Sequence, residues 1–282
     1  SDVSFDEDGS GSTSLSASDV DGDDLSYSIT GGSDITASLT GSDVAFSAPA
    51  DYNGSETFTI TVSDGELADS QSITVTVNAV NDAPIANAAS AETSEDQSVV
   101  IALSGSDIDG DALSFSLDTD AVNGNVVING SFATYTPDTN FNGSDSFIFA
   151  VSDGFLSDQA TVTLTITAIN DAPVITAISD LSFAEDGFSI LTLEASDIDG
   201  DEITYSITEG TDITAILDGN QVTFSAPPNF NGSEGFTVSV SDGTLSASTS
   251  FTVTVTAQND APVADAIPEQ ETAEDIIFIS TI

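Results

Sequence analysis

The 282-residue sequence predicts an all-β fold made of tandem immunoglobulin-like Greek-key β-sandwich domains in a linear array. Three observations lead to this prediction. Short motifs recur in one order at a period of 89 residues, which indicates a repeat protein. Short apolar runs alternate with Ser and Thr at period two, which is typical of half-buried strands. No convincing stretch shows the periodicity of an amphipathic helix.

Five motifs define the repeat, and the copies of NDAP, of SDG and of NGS after an aromatic residue each lie 89 residues apart. The motifs begin, for NDAP, at Asn81, Asn170 and Asn259; for SDG, at Ser63, Ser152 and Ser241; for NGS, at Asn53, Asn142 and Asn231; for DxDGD, at Asp19, Asp107 and Asp197; and for a Glu-Asp pair, at Glu7, Glu95, Glu185 and Glu274. These positions predict one repeat over residues 1–82, a second over 83–171, a third over 172–260 and the beginning of a fourth over 261–282. We therefore expect the sequence to be a window on a longer array.

The alternating runs supply the predicted strands of each repeat. One run follows each NGS motif, at Phe58–Val62, Phe147–Val151 and Phe236–Val240. Another precedes each NDAP motif, at Ile73–Val77, Val162–Ile166 and Phe251–Val255. Apolar residues fall on one face and Ser or Thr on the other, as in an antiparallel sheet with one buried face. About seven such strands in roughly 90 residues match an immunoglobulin-like sandwich, with the leading Phe58, Phe147 and Phe236 in its core.

The composition indicates a folded but strongly acidic chain. Asp and Glu number 48, Lys, Arg and His are absent, and the formal net charge is −48. The hydrophobic fraction of 39%, with 16 Phe, is nevertheless enough for packed cores. Nucleic acid is excluded as a partner because phosphate contacts depend on Lys and Arg, and an anionic membrane surface is disfavoured for the same reason. No apolar run is long enough for a membrane span, so we expect no direct membrane insertion.

The residue types also argue against catalysis. Without His, Lys or Cys, the Ser and Thr hydroxyls lack the usual activating bases. Paired carboxylates could hydrolyse glycosides, but these acids recur in every repeat, and an enzyme rarely needs its active site three times. We therefore predict no catalytic residues and no enzyme activity. The absence of Cys further excludes disulfides and thiolate metal sites.

The recurring carboxylates instead predict a site for a hard cation. Carboxylate and carbonyl oxygens without imidazole or thiolate suit Ca²⁺ or Mg²⁺, and Ca²⁺ accepts the loose geometry that loops provide. An EF-hand at Asp197 is excluded because Gly200 takes the fourth position of the motif and Thr208 replaces the closing Glu. The DxDGD segment is therefore not a self-contained metal-binding loop, and a metal site there would need further ligands from other parts of the chain. Other interpretations stay open: acidic turns for DxDGD and SDG, a Pro-stiffened linker for NDAP, and a turn or glycosylation acceptor for NGS.

The order of these motifs resembles bacterial cadherin-like tandem repeats, which occur in giant surface adhesins of the cadherin-like or RTX type and in extracellular filament proteins. The resemblance covers essentially the whole chain. It implies Ca²⁺ bound between consecutive domains, shared by the base of one domain and the top of the next. The sequence departs from the cadherin pattern at the linker, where Ala79, Ala168 and Ala257 replace its first Asp, and the Asp-Arg-Glu element is missing.

The resemblance also implies a ligand set for each junction. The first junction would use Glu7, Glu56, Asn81, Asp82, Asp107, Asp109 and Asp153. The second would use Glu95, Asp145, Asn170, Asp171, Asp197, Asp199 and Asp242. A domain upstream would face Asp19, Asp21 and Asp64, and the fourth repeat would face Glu185, Glu234, Asn259 and Asp260.

The function that follows is mechanical. Ca²⁺ would cancel the opposed negative charge of neighbouring repeats and stiffen the linker, so we expect a calcium-rigidified structural rod within a long adhesin or filament. Its partners would be calcium ions, neighbouring repeats, and other copies in a fibre or cell-surface ligands. Extracellular calcium levels place such a protein at the cell surface or in secreted form. The alternative is an accessory ligand- or glycan-binding module of a secreted protein, which the absence of Trp and the presence of only four Tyr disfavour.

Overall fold

The predicted all-β architecture is confirmed in a computed structural model that describes residues 1–265. These residues form 25 strands joined by loops and turns, with no helix among them. The chain divides into two compact units, Ser1–Ala168 and Ile169–Ile282. The first unit holds the first two repeats and the second unit holds the third. Most of the predicted opening of a fourth repeat, including Glu274, lies outside the described residues, and the predicted repeat boundaries stay predictions.

The first repeat is a sandwich of a four-stranded and a three-stranded sheet. The four-stranded sheet has the order β1-β7-β6-β3 and the three-stranded sheet the order β2-β5-β4. The strands are β1 (Val3–Asp6), β2 (Ser10–Ser14), β3 (Ser26–Gly31), β4 (Thr36–Thr40), β5 (Asp43–Ser47), β6 (Gly54–Ser63) and β7 (Ala68–Asn78).

The second repeat has the same two sheets and an additional strand pair. The sheets are β12-β15-β16-β9 and β10-β14-β13, and the additional pair is β8 with β11. The strands are β8 (Ile85–Asn87), β9 (Ala89–Ser94), β10 (Val99–Ala102), β11 (Ser104–Ser106), β12 (Ser114–Thr119), β13 (Gly124–Asn129), β14 (Phe132–Pro137), β15 (Gly143–Ser152) and β16 (Ser157–Thr167).

The third repeat, in the second unit, matches the second. Its sheets are β18-β25-β24-β21 and β19-β23-β22, and β17 pairs with β20. The strands are β17 (Val174–Ile175), β18 (Leu181–Ala184), β19 (Phe188–Thr192), β20 (Ala195–Ser196), β21 (Thr204–Ile207), β22 (Thr214–Asp218), β23 (Gln221–Ser225), β24 (Gly232–Ser241) and β25 (Ser246–Thr256).

The alternating runs bury one face, as their period predicts. The three leading Phe residues, Phe58, Phe147 and Phe236, are fully buried and belong to the three separate cores. In the second and third repeats, burial alternates along the long central hairpin, whereas in β6 of the first repeat the residues after Phe58 are all partly buried. The first strand of each hairpin begins at the Gly of the NGS motif. The first short strand of the large sheet pairs in parallel with the last, β1 with β7 in the first repeat. This parallel pair brings the residue after β1 to the lower end of the repeat, where the linker leaves.

Candidate metal centre

Glu7 lies at the lower end of the first repeat because the backbone ladder continues one residue past β1. Its N–H donates to Asn78 O at 3.0 Å, which fixes the residue beside the end of β7. The side chain is only 6% exposed. Its Oε1 accepts the Val80 N–H at 2.5 Å, whereas its Oε2 is buried without a hydrogen-bond donor. Burial of a charged oxygen without a donor or a cation is strongly unfavourable.

Linker residue Asp82 is held between Glu7 and the top of the second repeat. Its N–H donates to Asp109 Oδ2 at 2.9 Å, so the linker backbone contacts the DxDGD loop directly. Its Oδ2 is also buried without a donor. Burial raises the pKa of Asp82, and the negative charges of Asp51, Asp109, Glu7 and Asp8 raise this pKa further. Asp82 is therefore surrounded by charge of its own sign.

The DxDGD loop of the second repeat presents a third carboxylate of this kind. Asp107 follows β11, and its Oδ1 accepts the Asp111 N–H at 3.1 Å. Its Oδ2 is buried without a donor. The positive φ of 81° at Gly110 turns the loop, a conformation that Gly adopts at little cost. The turn brings oxygens of Asp107, Asp109 and Asp111 within 4.8 Å of one another.

Three groups of carboxylates overlap at this junction. Within each group, one oxygen from every member lies within 4.8 Å of the others. The groups are Asp8, Asp51 and Asp82; Glu7, Asp82 and Asp109; and Asp107, Asp109 and Asp111. Asp82 and Asp109 each belong to two groups, so the linker and the DxDGD loop connect all three. The sequence contains no Lys, Arg or His that could neutralise them.

The SDG motif contributes a hydrogen-bonded partner to the linker. Asp153 Oδ1 accepts the N–H groups of Phe155 and Leu156 at 2.6 and 2.7 Å, and Oδ2 accepts the Asn81 amide at 2.9 Å. The Asn81 amide is the main cause that lowers the pKa of Asp153, followed by the Phe155 N–H. Asp153 closes a turn through Phe155 and Leu156, and it also contacts the linker through Asn81. Both interpretations of the SDG motif, as a turn and as a source of a ligand, therefore stay open.

Glu56 is not brought into these groups, although it was predicted for the same junction. Both of its carboxylate oxygens accept backbone N–H groups from Ser33 to Ile35 at 3.0–3.1 Å, and the Ser33 hydroxyl donates at 2.7 Å. The Ser33 hydroxyl, with the Asp34 N–H next, lowers the pKa of Glu56 to about 2. Glu56 therefore stabilises the loop between β3 and β4 of its own repeat.

The equivalent acids of the other repeats have the same role. Asp145 accepts the N–H groups of Val122 and Asn123 and the Tyr135 hydroxyl at 2.9–3.2 Å. Burial alone would raise the pKa of Asp145, but these donors, led by the Asn123 N–H, lower it. Glu234 accepts the N–H groups from Thr211 to Ile213. The acid of the NGS motif is thus a loop acceptor in all three repeats.

In the second unit, the linker contacts the DxDGD and SDG motifs as it does in the first. The Asn170 amide donates to Asp242 Oδ2 at 2.9 Å, and the Asp171 N–H donates to Asp199 Oδ2 at 2.8 Å. Oxygens of Asp197, Asp199 and Asp201 lie within 4.8 Å of one another. The buried Asp197 Oδ2 has no donor.

The remaining predicted ligands are placed as follows. In the first unit, Glu95 is 2% exposed, and its N–H donates to Thr167 O at 3.0 Å, so it repeats the position of Glu7. Glu185 repeats it in the second unit, with Oε1 accepting the Gln258 N–H. The Asn259 amide donates to Asp260 O at 3.3 Å. In the first repeat, Asp19 Oδ1 accepts the N–H groups of the loop that contains Asp21, and Asp64 Oδ1 accepts those of Glu66 and Leu67.

Asp8 and Asp51 were not among the ligands predicted from the sequence, although both lie beside Asp82. Asp8 is the second residue of the recurring Glu-Asp pair, so its recurrence was a signal that could have found it. Asp51 was hidden because Asn140 and Asn229 occupy its position in the other repeats. All three adopt positive φ values of 56–58°, a conformation that Asp and Asn tolerate better than most residues. The recurrence of Asp or Asn two residues before each of these NGS motifs was therefore the sequence signal that could have identified Asp51.

Comparisons with known proteins agree with the architecture. The family model for the bacterial Ig domain matches residues 1–78, 81–165 and 170–256. The integrin beta-like protein A of Dictyostelium discoideum is 32% identical over 209 residues, which are 65% of this chain and 10% of that protein. The chain thus spans about a tenth of the length of this relative.

Among solved structures, the chain is similar to cadherin ectodomains. PcdhgB3 EC1-4 has a TM-score of 0.56 at 14% identity, covering 92% of this chain and 74% of that chain. Extracellular cadherin domains 1–4 of protocadherin gamma B7 have a TM-score of 0.53 at 15% identity, covering 90% and 74%. Similarity at this identity concerns the fold alone. Within residues 1–265, no helix is long and apolar enough to cross a membrane.

Proposed function

The chain belongs to the bacterial Ig domain family, and from this premise we propose that it is a calcium-stiffened structural segment of a long extracellular adhesin or filament. Bacterial Ig-like and cadherin-like domains are typically extracellular and non-enzymatic. The proposal concerns what the acidic linker between the first two repeats does. Its partners would be calcium ions and the neighbouring repeats of the same chain.

One observation carries the proposal: three buried carboxylate oxygens at this linker have no hydrogen-bond donor. They belong to Glu7, Asp82 and Asp107. They come from the lower end of the first repeat, from the linker and from the top of the second repeat. Native proteins pair nearly all buried polar atoms, and a buried charge is paired or coordinates a metal. With no basic side chain in the sequence, a cation from solution is the remaining partner.

The donor set favours calcium over other metals. All candidate ligand atoms are oxygens, and the chain has neither His nor Cys. Oxygen-only sites suit Ca²⁺ and Mg²⁺, and Ca²⁺ tolerates a larger number of ligands in irregular geometry. Ligands from loops and a linker can provide such irregular coordination more readily than the near-ideal octahedron that Mg²⁺ requires. The residues present therefore fit calcium.

Glu7, Asp82, Asp107 and Asp109 would hold the ion, with Asp8 and Asp51 beside Asp82. Bound calcium would supply positive charge that offsets the mutual repulsion of these carboxylates. Asp82 joins the two sides, because its N–H contacts Asp109 while its carboxylate lies beside Glu7. Asn81 fixes the linker to Asp153. The linker would then resist bending, which is the property that a stalk or filament needs.

Distance measurements between spin labels would test this proposal. The chain has no Cys, so Thr40→Cys in the first repeat and Asn125→Cys in the second provide unique, exposed sites. We expect a narrow distance distribution in millimolar calcium and a broad one in chelator. The control pair, Thr40→Cys with Ser72→Cys, lies within the first repeat and should give the same distribution in both. An equally narrow interrepeat distribution without calcium would overturn the proposal.

A further inference from the structure

The outer face of the three-stranded sheet in the second repeat carries apolar side chains. In the strand register, Val100 of β10 and Val127 of β13 lie on either side of Thr134 of β14. Phe132 lies two residues before Thr134 on the same face of β14. Val100, Val127 and Phe132 are 54–64% exposed. This sheet therefore presents bulky apolar surface to solvent on the side opposite its core.

The third repeat presents the same pattern at the equivalent positions. Ile190 of β19 and Ile216 of β22 lie on either side of Thr223 of β23. Phe188 lies two residues before Ile190 on the same face of β19, and these three apolar side chains are 55–67% exposed. Two repeats thus carry a β-branched apolar residue, Thr and a second β-branched apolar residue across the sheet. We refer to each of these sets, Val100–Thr134–Val127 and Ile190–Thr223–Ile216, as an apolar row.

The first repeat lacks an apolar row, although its three-stranded sheet has the same strands. Ser12 of β2, Ala45 of β5 and Ser38 of β4 occupy the equivalent positions. Polar or small residues are what the solvent face of an antiparallel sheet normally carries, so the fold itself does not require the apolar row. Single exposed apolar residues are common, whereas clustered ones mark interaction sites. The apolar rows therefore indicate a contact surface on the second and third repeats.

The charge of this face indicates which kind of partner fits it. Strands β10, β13 and β14 contain no Asp or Glu, although the chain has 48 acids and no basic side chain. In the corresponding strands of the third repeat, the single acid is Asp218 at the end of β22. A basic partner would be attracted by carboxylates, so a face without them offers it no advantage. A partner with the same negative charge as this chain is repelled by carboxylates, and an uncharged apolar surface is where it can approach.

We propose that the apolar rows are docking surfaces for a second copy of the chain, which contacts them with its own apolar rows. Two sheets would then pack face to face, about 10 Å apart, as the sheets of a sandwich do. The burial of apolar surface stabilises this contact, while like charge keeps the acidic faces of the two copies apart. The result is side-by-side association of chains, which goes beyond stiffening by calcium and does not depend on it.

Sedimentation velocity of the full chain in chelator tests the inference. We expect the wild type to associate as its concentration rises, and more strongly with added NaCl, because salt at about 0.1 M screens repulsion beyond ~10 Å. Val127→Asp combined with Ile216→Asp places a carboxylate in each apolar row and should raise the dissociation constant about tenfold or more. The matched control, Ser12→Asp with Ser38→Asp, adds the same charge to the first repeat and should associate as the wild type does. A wild-type chain that stays monomeric, or equal association of the two double variants, would overturn the inference.

An uncharged variant separates apolar contact from added charge. Val127→Thr combined with Ile216→Thr removes apolar surface and keeps β-branched side chains, which suit a strand. It should weaken association, while circular dichroism of dilute protein should show the wild-type midpoint of thermal unfolding. Undiminished association of this variant would contradict the apolar rows as the contact.

Disulfide trapping in chelator locates the contact. The chain has no Cys, so Thr134→Cys combined with Thr223→Cys introduces thiols only at the centres of the two apolar rows. Mild oxidation should give a covalent dimer on a non-reducing gel. Ala45→Cys, at the centre of the corresponding face of the first repeat, should stay monomeric, and equal trapping through it would overturn the inference. Because calcium is absent from all three experiments, failure of this inference is distinguishable from failure of the calcium proposal.

Discussion

Two acidic side chains of the first repeat, Glu7 and Glu56, have opposite environments. Glu56 has donors for both carboxylate oxygens from a loop of its own repeat. Glu7 has one donor, from the linker, and a second oxygen that is buried without any. Recurrence of an acid in every repeat therefore does not reveal its role. An acid whose oxygens are all paired completes its own repeat, whereas a buried acid with an unpaired oxygen is a candidate ligand for the proposed calcium ion.

Of the substitutions that test this comparison, Glu7→Gln is expected to have the largest effect, which is a loss of calcium affinity. Gln keeps an oxygen for the Val80 N–H but replaces the unpaired oxygen with an NH₂ group that cannot bind a cation. Calcium affinity at the linker should fall about 10–100-fold, as is typical when a group that supports a metal site is lost. Isothermal titration calorimetry measures this, with Glu56→Gln as the matched control that should titrate like the wild type. An equal loss of calcium affinity in both variants would contradict the assignment of different roles to Glu7 and Glu56.

Glu56→Ala tests the role of this residue in stability and should lower the midpoint of thermal unfolding of the first repeat by several degrees. The substitution removes the acceptor of the N–H groups between Ser33 and Ile35, and unpaired donors destabilise a fold. Circular dichroism in the presence of chelator measures the midpoint. Glu234→Ala makes the same change in the third repeat and should produce a similar shift. Calcium titration of the folded Glu56→Ala variant should match the wild type; a large loss there would place Glu56 at the metal site after all.

A smaller effect is expected in the pH dependence of stability. The pKa of Glu56 is about 2 in the folded chain, compared with 4.5 ordinarily, so the unfolded state binds more protons between these values. The contribution of Glu56 is therefore fully present above about pH 4.5 and is lost as the pH falls towards 2. Denaturant titrations of the wild type and Glu56→Gln should differ most above pH 4.5 and converge near pH 2. A constant difference across this range would contradict the pairing of Glu56 with its loop.

Much of the fold could be predicted from the sequence because its signals are local. The alternation after NGS and before NDAP predicted the two strands that form the long central hairpin, and Phe58, Phe147 and Phe236 lie in the cores as expected. The ligand set was less accessible. The resemblance to cadherin-like repeats implied both Glu7 and Glu56 as ligands of the first junction, although only Glu7 lies beside Asp82. Asp51 was missed because the repeats differ at its position.

The repeat period, the strand pattern and the absence of any basic side chain to pair with 48 acids can be read from the sequence alone. These properties follow from residue types and their spacing, which need no knowledge of distant contacts. Which acids lie close together depends instead on contacts between residues that are distant in the sequence. The parallel pairing of β1 with β7 places Glu7 beside the linker, and the turn at Gly110 brings the DxDGD acids together.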